Sequence, residues 1–409
     1  MTFLHRNFIK RRKFDQWVLA FGGLTMPIRV GLGPVVVFLF SCIGIYLTAF
    51  RHKSTKPFVG IFLISIIFYF VWVFGLIIWR GQLELGNRQI GYTLLLVLFS
   101  FAGPGMVLVR DPLRFYVLGS RVGIFLAAMA AMFVSLYSGV RVGIGGNQAV
   151  FAFVAAVAAI SATLPVQNAP RFLRNGPQWL ALGLLAIMVS ETRAVLVVLP
   201  LFLAVEIIAC VRKFSWQKQS GIYAILAAAL AAMLVVGPAG TVIEKRFATM
   251  LNYYETGDAA QWKDKSSADI RMAMWRGAVE VIKAHPLTGV GTIDKMPLVQ
   301  AHAGANKKLL NGFGHVHNVV LDELLHDGIV GLALLLTAFI SLFVQLWKTA
   351  PDCGTKRVLS YFALVMIAYG MLHAPLFHET SIAVIMLFLG VLNAARVKRV
   401  IYKPHLNAA

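Results

Sequence analysis

Apolar residues in this chain come in long unbroken runs. They do not show the strict alternation of a half-buried strand or the narrow stripe of a surface helix. The runs fall near 33–50, 58–79, 90–109, 115–138, 149–164, 178–190, 194–211, 220–237, 328–347, 357–374 and 379–395, with a shorter one at 17–28. Most approach the roughly 20 residues that carry a helix across a bilayer. The pattern predicts an all-α polytopic membrane protein of about twelve transmembrane helices. The runs at 17–28, 178–190 and 194–211 are short enough to be merged or re-entrant.

Composition sharpens this reading. Of 409 residues, 59% are apolar and 13% charged, about half the charged share of a soluble domain. A soluble enzyme with a charged shell and a disordered chain are both excluded. Lys and Arg outnumber Asp and Glu by 38 to 17. In a membrane protein that excess points to anionic lipid headgroups and phosphorylated lipid substrates, not to nucleic acid. Cys42, Cys210 and Cys353 are too scattered for a disulfide framework or a metal site.

Charge also sets orientation. The basic start (Arg6, Lys10, Arg11, Arg12, Lys13) precedes an apolar run with no small-x-small cleavage site, which predicts an uncleaved first helix and a cytoplasmic N-terminus. Twelve spans then place 22 of the 38 cations inside and 15 outside, with Arg121 within a span. Both termini are expected in the cytoplasm. The predicted organisation is residues 1–237 as spans one to nine, 238–316 as one large outer loop, and 317–409 as spans ten to twelve with a cytoplasmic tail. A loop of that length is more often functional than connective. No internal repeat suggests inverted halves, and no low-complexity tract occurs.

Three polar sites face the outer side in this topology. Ser190-Glu191-Thr192-Arg193 joins two apolar runs, so Arg193 is either an interfacial cation reaching for headgroups or an anion clamp at membrane depth. Asp269 to His285 reads as an amphipathic helix. Arg271 falls at the centre of the stripe made by Trp275, Ala278 and Ile282, and should meet a buried anion or an acidic partner. Arg276 falls on the opposite face, spaced to pair with Glu280; it reads as a solvated surface charge and remains a candidate substrate contact. The third site is His315-Val316-His317-Asn318, followed by Asp322, Glu323, His326, Asp327, Gly328 and Gly331. There a helix N-terminus disfavours an imidazolium and keeps His317 neutral. Helix capping by the histidines and a zinc site are the alternatives, the latter lacking a cysteine or HExxH pattern to complete it. His373, His378, Tyr253, Tyr254 and Trp262 are weaker candidates, better read as interfacial residues.

His317-Asn318, nine residues, Gly328, two residues and Gly331 resemble the signature of the bacterial O-antigen ligase family, and Arg271-x-x-x-Trp275 followed by Pro286-Leu287-x-Gly289-x-Gly291 resembles the segment before it. The likeness covers roughly residues 185–345 and belongs to the wider O-antigen ligase/polymerase superfamily. It implies a glycan donor on undecaprenyl pyrophosphate, a lipid A–core acceptor and inverting, metal-independent transfer on the periplasmic face of the bacterial inner membrane. It implies no cofactor, no nucleic acid and no obligatory protein partner beyond the surrounding membrane lipids. By the same resemblance His317 matches the essential histidine, Arg271 the arginine of the large loop and Arg193 the arginine ahead of it. His315 and Asn318 flank the histidine as further substrate contacts, with His315 the alternative base. An O-antigen polymerase or a protein O-oligosaccharyltransferase would share these features. A lipid-linked sugar transporter would want more ionisable groups inside the spans than Arg121 and Glu206.

Overall fold

A computed structural model describes residues 2–28, 31–50, 58, 60–84, 86–138, 142–144, 146–190, 192–212, 267–303, 307 and 310–402, with the side chains of 2–13, 138, 193, 267–269 and 400–402 outside the description. The described residues form helices and connections without strands. In chain order they are α1 Thr2–Thr25, α2 Leu32–Phe50, α3 Ile61–Trp79, α4 Arg88–Ser100, α5 Ala102–Met106, α6 Pro112–Ser138, α7 Gln148–Thr163, α8 Gln178–Ser190, α9 Arg193–Leu196, α10 Leu199–Val211, α11 Ser267–Ala284, α12 Gly291–Ala301, α13 Val319–Lys348, α14 Cys353–Gly370 and α15 Glu379–Tyr402.

Among the described residues seven helical stretches are long and apolar enough to cross a membrane: Leu32–Phe50, Ile61–Trp79, Arg88–Met106, Pro112–Tyr137, Ala194–Val211, Val319–Lys348 and Glu379–Arg399. The other helices that carry predicted runs are shorter or less apolar, and the run at 220–237 lies outside the described residues, as do Tyr253, Tyr254 and Trp262. At the centre of the bundle stand α7 and α15. Alanine dominates α7, which is buried along nearly all its length because small side chains let neighbours approach from every direction. Around them α1 packs on α6, α2 on α5, α8 on α6 and α7, and α13 on α3.

The two ionisable residues read as lying inside spans are both satisfied. Fully buried Arg121 donates to the carbonyls of Ala162 (2.8 Å), Leu164 (3.0 Å) and Leu173 and to the Asn175 side chain (2.6 Å). It thereby closes the C-terminal end of α7, whose last carbonyls have no helical partner. Glu206 accepts from Arg357 at 2.9 Å and Tyr361 at 3.1 Å, tying α10 to α14.

Between the described end of α10 and α13, α11 and α12 build a second, smaller core. Met274, Ala278, Val281, Val299, Val316 and Leu325 are buried together there, separate from the bundle core. The helix expected to open at His317–Asn318 does so: α13 begins at Val319, nine residues ahead of the apolar run at 328–347, and is kinked at Gly328. The segment from 319 to 327 is rich in Asp, Glu and His, and its buried Asp322 and Asp327 carboxylates find partners on distant segments, described next.

Candidate active site

Two loop segments meet at the kink of α13. Pro286–Gly291 lies along the turns either side of Gly328: Val290 N–H donates to Leu325 O (2.7 Å) and Ile329 N–H to Pro286 O (2.9 Å). Gly328 has φ 67° and ψ −168°, a region essentially reserved for glycine. A Cβ there would sit 2.1 Å from the Leu287 carbonyl oxygen, and one on Gly289 would sit 2.6 Å from Leu325 O. Gly289 and Gly328, one from each sequence motif, are therefore the two sides of one close backbone contact.

Side chains from α3 and α4 lock this joint. Arg80, capping α3, donates to His326 O (3.1 Å) and to Thr288 O. Gln82 donates to Asp294 at 2.7 Å. Gln89 donates to both carboxylate oxygens of buried Asp327 at 2.8 Å and accepts from Thr292 at 2.8 Å. Tyr69 donates to Asp327 at 3.4 Å and the Trp72 indole to its carbonyl at 3.0 Å. The sequence gives no sign of these partners, since Tyr69 and Asp327 stand 258 positions apart.

Above the joint the chain turns sharply into α13. His317 takes a left-handed backbone, φ 55°, which is uncommon for a residue with a side chain. The residues on both sides are fixed. The Trp275 indole donates to Val316 O at 2.8 Å, and Val316 N–H donates to Asp322 Oδ1 at 3.1 Å. Lys295 binds the same carboxylate oxygen at 2.8 Å, in a pair whose side chains are 2% and 0% exposed. After His317, Asn318 caps α13 by accepting from Val320 N–H (3.0 Å) and Leu321 N–H (3.1 Å). The cap is thus the asparagine, not a histidine.

The His317 ring lies among aromatic neighbours. Ring centroids stand 4.2 Å from His315, 5.7 Å from Phe313 and 5.9 Å from His373, and His373 stacks on Tyr369 at 4.6 Å. His373, read from the sequence as an interfacial residue, is part of the cluster. His378 is not among these ring neighbours. Among the described residues the buried Nδ1 of His317 has no hydrogen-bond partner. Burial is the largest effect on this imidazole, and the neighbouring His315 and Arg271 add to it, pushing it down to about 4. His373 is pushed down to about 3, first by burial and then by His317 and Arg271; burial also lowers His315, against the opposing charge of Asp322. Desolvation is thus the largest effect favouring the neutral imidazole at His317.

Arg271 acts on this cluster from half-buried ground. The buried stripe of α11 centres on Met274, Ala278 and Val281, so Arg271 sits at the stripe's edge with Trp275, not at its centre. From there its charge reaches His317 and His373. Arg276 is exposed on the opposite face, and Glu280 pairs with Lys283 at 2.8 Å in place of the expected partner Arg276. Arg193 opens α9, and its side chain lies outside the description. The backbone beside it is tied to the cluster's end of the bundle. Thr192 donates to the Gln148 carbonyl at the start of α7, and Phe153 of α7 stacks on Tyr369 at 4.6 Å. Among the described residues no group of three or more His, Cys, Asp or Glu is arranged to hold a metal ion.

The assembly pairs uncharged imidazoles with a nearby guanidinium at the mouth of a helical bundle. It suits proton abstraction beside an anion. No curated protein matches this chain. Residues 179–336, from α8 to the second half of α13, match the family described as O-Antigen ligase. The match takes in Arg193, Arg271, His315 and His317, whereas Arg80, Gln89 and His373 come from outside it. Over residues 179–336, then, the chain is similar to the O-antigen ligase family.

Proposed function

We propose that this protein is an inverting glycosyltransferase that moves O-antigen from undecaprenyl pyrophosphate onto lipid A–core, at the periplasmic face of the inner membrane. The observation that carries the reading is the neutral His317 imidazole, its buried Nδ1 without a hydrogen-bond partner among the described residues, within electrostatic reach of Arg271. His317 takes the proton of the acceptor hydroxyl. The freed oxygen forms a bond to the anomeric carbon of the donor sugar. The bond from that carbon to the pyrophosphate oxygen breaks, its electron pair leaves with undecaprenyl pyrophosphate, and the anomeric centre inverts. Arg271 and Arg193 hold the diphosphate, since guanidinium groups bind phosphate oxygens bidentately. In a partly desolvated site they stabilise the charge that develops on the leaving group by a few kcal/mol. No general acid is needed for so good a leaving group.

A base pushed down to about 4 is weak for work near neutral pH. The donor itself corrects this. Two phosphate charges at roughly 8–10 Å and an effective dielectric near 20 raise a neighbouring imidazole on the order of two to three pKa units. His317 is thus kept uncharged in the free protein and becomes a competent base once the donor is bound. His315 lies close enough to share the role.

A deletion strain tests the acceptor. Loss of a ligase leaves undecaprenyl-linked polymer accumulating over rough lipopolysaccharide, the result expected here. Lipopolysaccharide carrying single repeats marks a polymerase instead, and intact lipopolysaccharide with unglycosylated protein marks a protein O-oligosaccharyltransferase.

A further inference from the structure

We infer that Lys295 and Asp322 are positioning residues for the transfer, fixing the peptide that aims His317. This rests on the reading of His317 as the base.

The residues before and after His317 are each held from a different direction. On one side Asn318 is fixed as the cap of α13 through two backbone N–H groups. On the other, Val316 is gripped at both ends: its carbonyl accepts from the Trp275 indole of α11, and its N–H donates to Asp322 Oδ1. Between them His317 is confined to φ 55°. Such a backbone persists only where its surroundings over-determine it.

Asp322 is the keystone of that grip, and it is fully buried. An isolated carboxylate there would be strongly disfavoured. Lys295, on α12, supplies the compensating charge at 2.8 Å on the oxygen that accepts from Val316. Lys295 is itself buried and also lies over the face of Phe377, 5.5 Å from the ring centroid. Neither group contacts the imidazole. Their charges act on it in opposite directions, and their hold on its position runs through one backbone hydrogen bond, from Val316 N–H to Asp322. A catalytic group displaced by about 1 Å can lose on the order of 100-fold in rate.

The test uses the full-length protein in detergent or nanodiscs, with polyprenyl-pyrophosphate-linked glycan as donor and rough lipopolysaccharide as acceptor. Asp322→Ala should lower kcat on the order of 100-fold with donor KM changed by less than about threefold. The double variant Lys295→Met/Asp322→Asn keeps the oxygen that accepts from Val316 and removes both buried charges. Its kcat should stay within about tenfold of wild type. Trp275→Phe, which removes the indole donor to Val316 and keeps an aromatic ring, should cost about three- to tenfold in kcat. If Asp322→Ala fails to fold, the other two variants decide the matter, since the double variant keeps side-chain volume and Trp275→Phe keeps an aromatic ring at its position.

A wild-type kcat per folded molecule in Asp322→Ala or Trp275→Phe overturns the inference. So does a raised donor KM at unchanged kcat, or a double variant as slow as Asp322→Ala. His317→Ala separates this from the parent reading. If it transfers at the wild-type rate, the assignment of His317 fails. If it is dead while Trp275→Phe and Asp322→Ala turn over normally, only the positioning role fails.

Discussion

Replacing Gly328 by alanine probes the joint beneath the histidine cluster. Two costs are legible in the geometry. First, φ 67° with ψ −168° is a region that side-chain-bearing residues avoid, at about 1–3 kcal/mol. Second, the new methyl would lie 2.1 Å from the Leu287 carbonyl oxygen and 2.5 Å from Thr288 N, both backbone atoms that cannot swing aside. Forcing such a contact costs typically another 1–3 kcal/mol. Together the substitution should destabilise the protein by about 2–6 kcal/mol, a large fraction of a domain's total stability. Gly81→Ala is the control. Gly81 also has positive φ, 68°, but a Cβ there meets nothing within 4 Å. Only the backbone cost of about 1–2 kcal/mol applies to it. Thermal unfolding in detergent, together with transfer activity per folded molecule, should rank wild type above Gly81→Ala and Gly81→Ala well above Gly328→Ala. Equal melting temperatures for the two alanine variants would refute the claim that the kink is pressed against the 286–291 segment.

Other outcomes follow from the site. Arg271→Ala should abolish long-chain lipopolysaccharide at unchanged protein level, while exposed Arg276→Ala should lower it several-fold at most; immunoblots of membranes with O-antigen staining compare them. Burial and neighbouring cations hold His317 down at about 4 in the free protein, so kcat/KM should fall only as pH drops through about 4 to 5, not near 6.5. The sign follows from the role: the active form is the neutral one, present above its pKa and lost below it. Because the bound diphosphate raises that imidazole, the acidic limb of kcat should lie at higher pH than that of kcat/KM, and coincident limbs would contradict substrate tuning of the base. Arg80→Ala removes donors to the carbonyls of His326 and Thr288 and should destabilise the joint by about 1–3 kcal/mol, read as a lower melting temperature.

The helices were legible because their signal is local. An apolar run long enough to span a bilayer declares itself whatever it packs against, and the seven long apolar helical stretches among the described residues lie on such runs. Arg271 was legible for the opposite reason, as a charge set into the apolar pattern of an amphipathic helix. What stayed hidden depends on distant partners. Nothing near Asp322 or Asp327 in sequence marks what could satisfy a carboxylate buried in a helix. Lys295, Gln89 and Tyr69 do so from 27 to 258 positions away. His373 carries no sequence context to mark it, and only the turn between α14 and α15 brings it to His317. The glycine spacing that carries the family resemblance acquires its meaning the same way, from two segments 39 positions apart between Gly289 and Gly328 that touch backbone to backbone.

The most direct test of the account is transfer by the purified protein from undecaprenyl-pyrophosphate-linked O-antigen to rough lipopolysaccharide, with and without chelator. The account requires wild-type transfer at equal rates in both conditions, inversion at the new glycosidic bond, and loss of on the order of 100-fold or more in His317→Ala, the scale of general base catalysis. Undiminished transfer by a folded His317→Ala/His315→Ala double variant would contradict it.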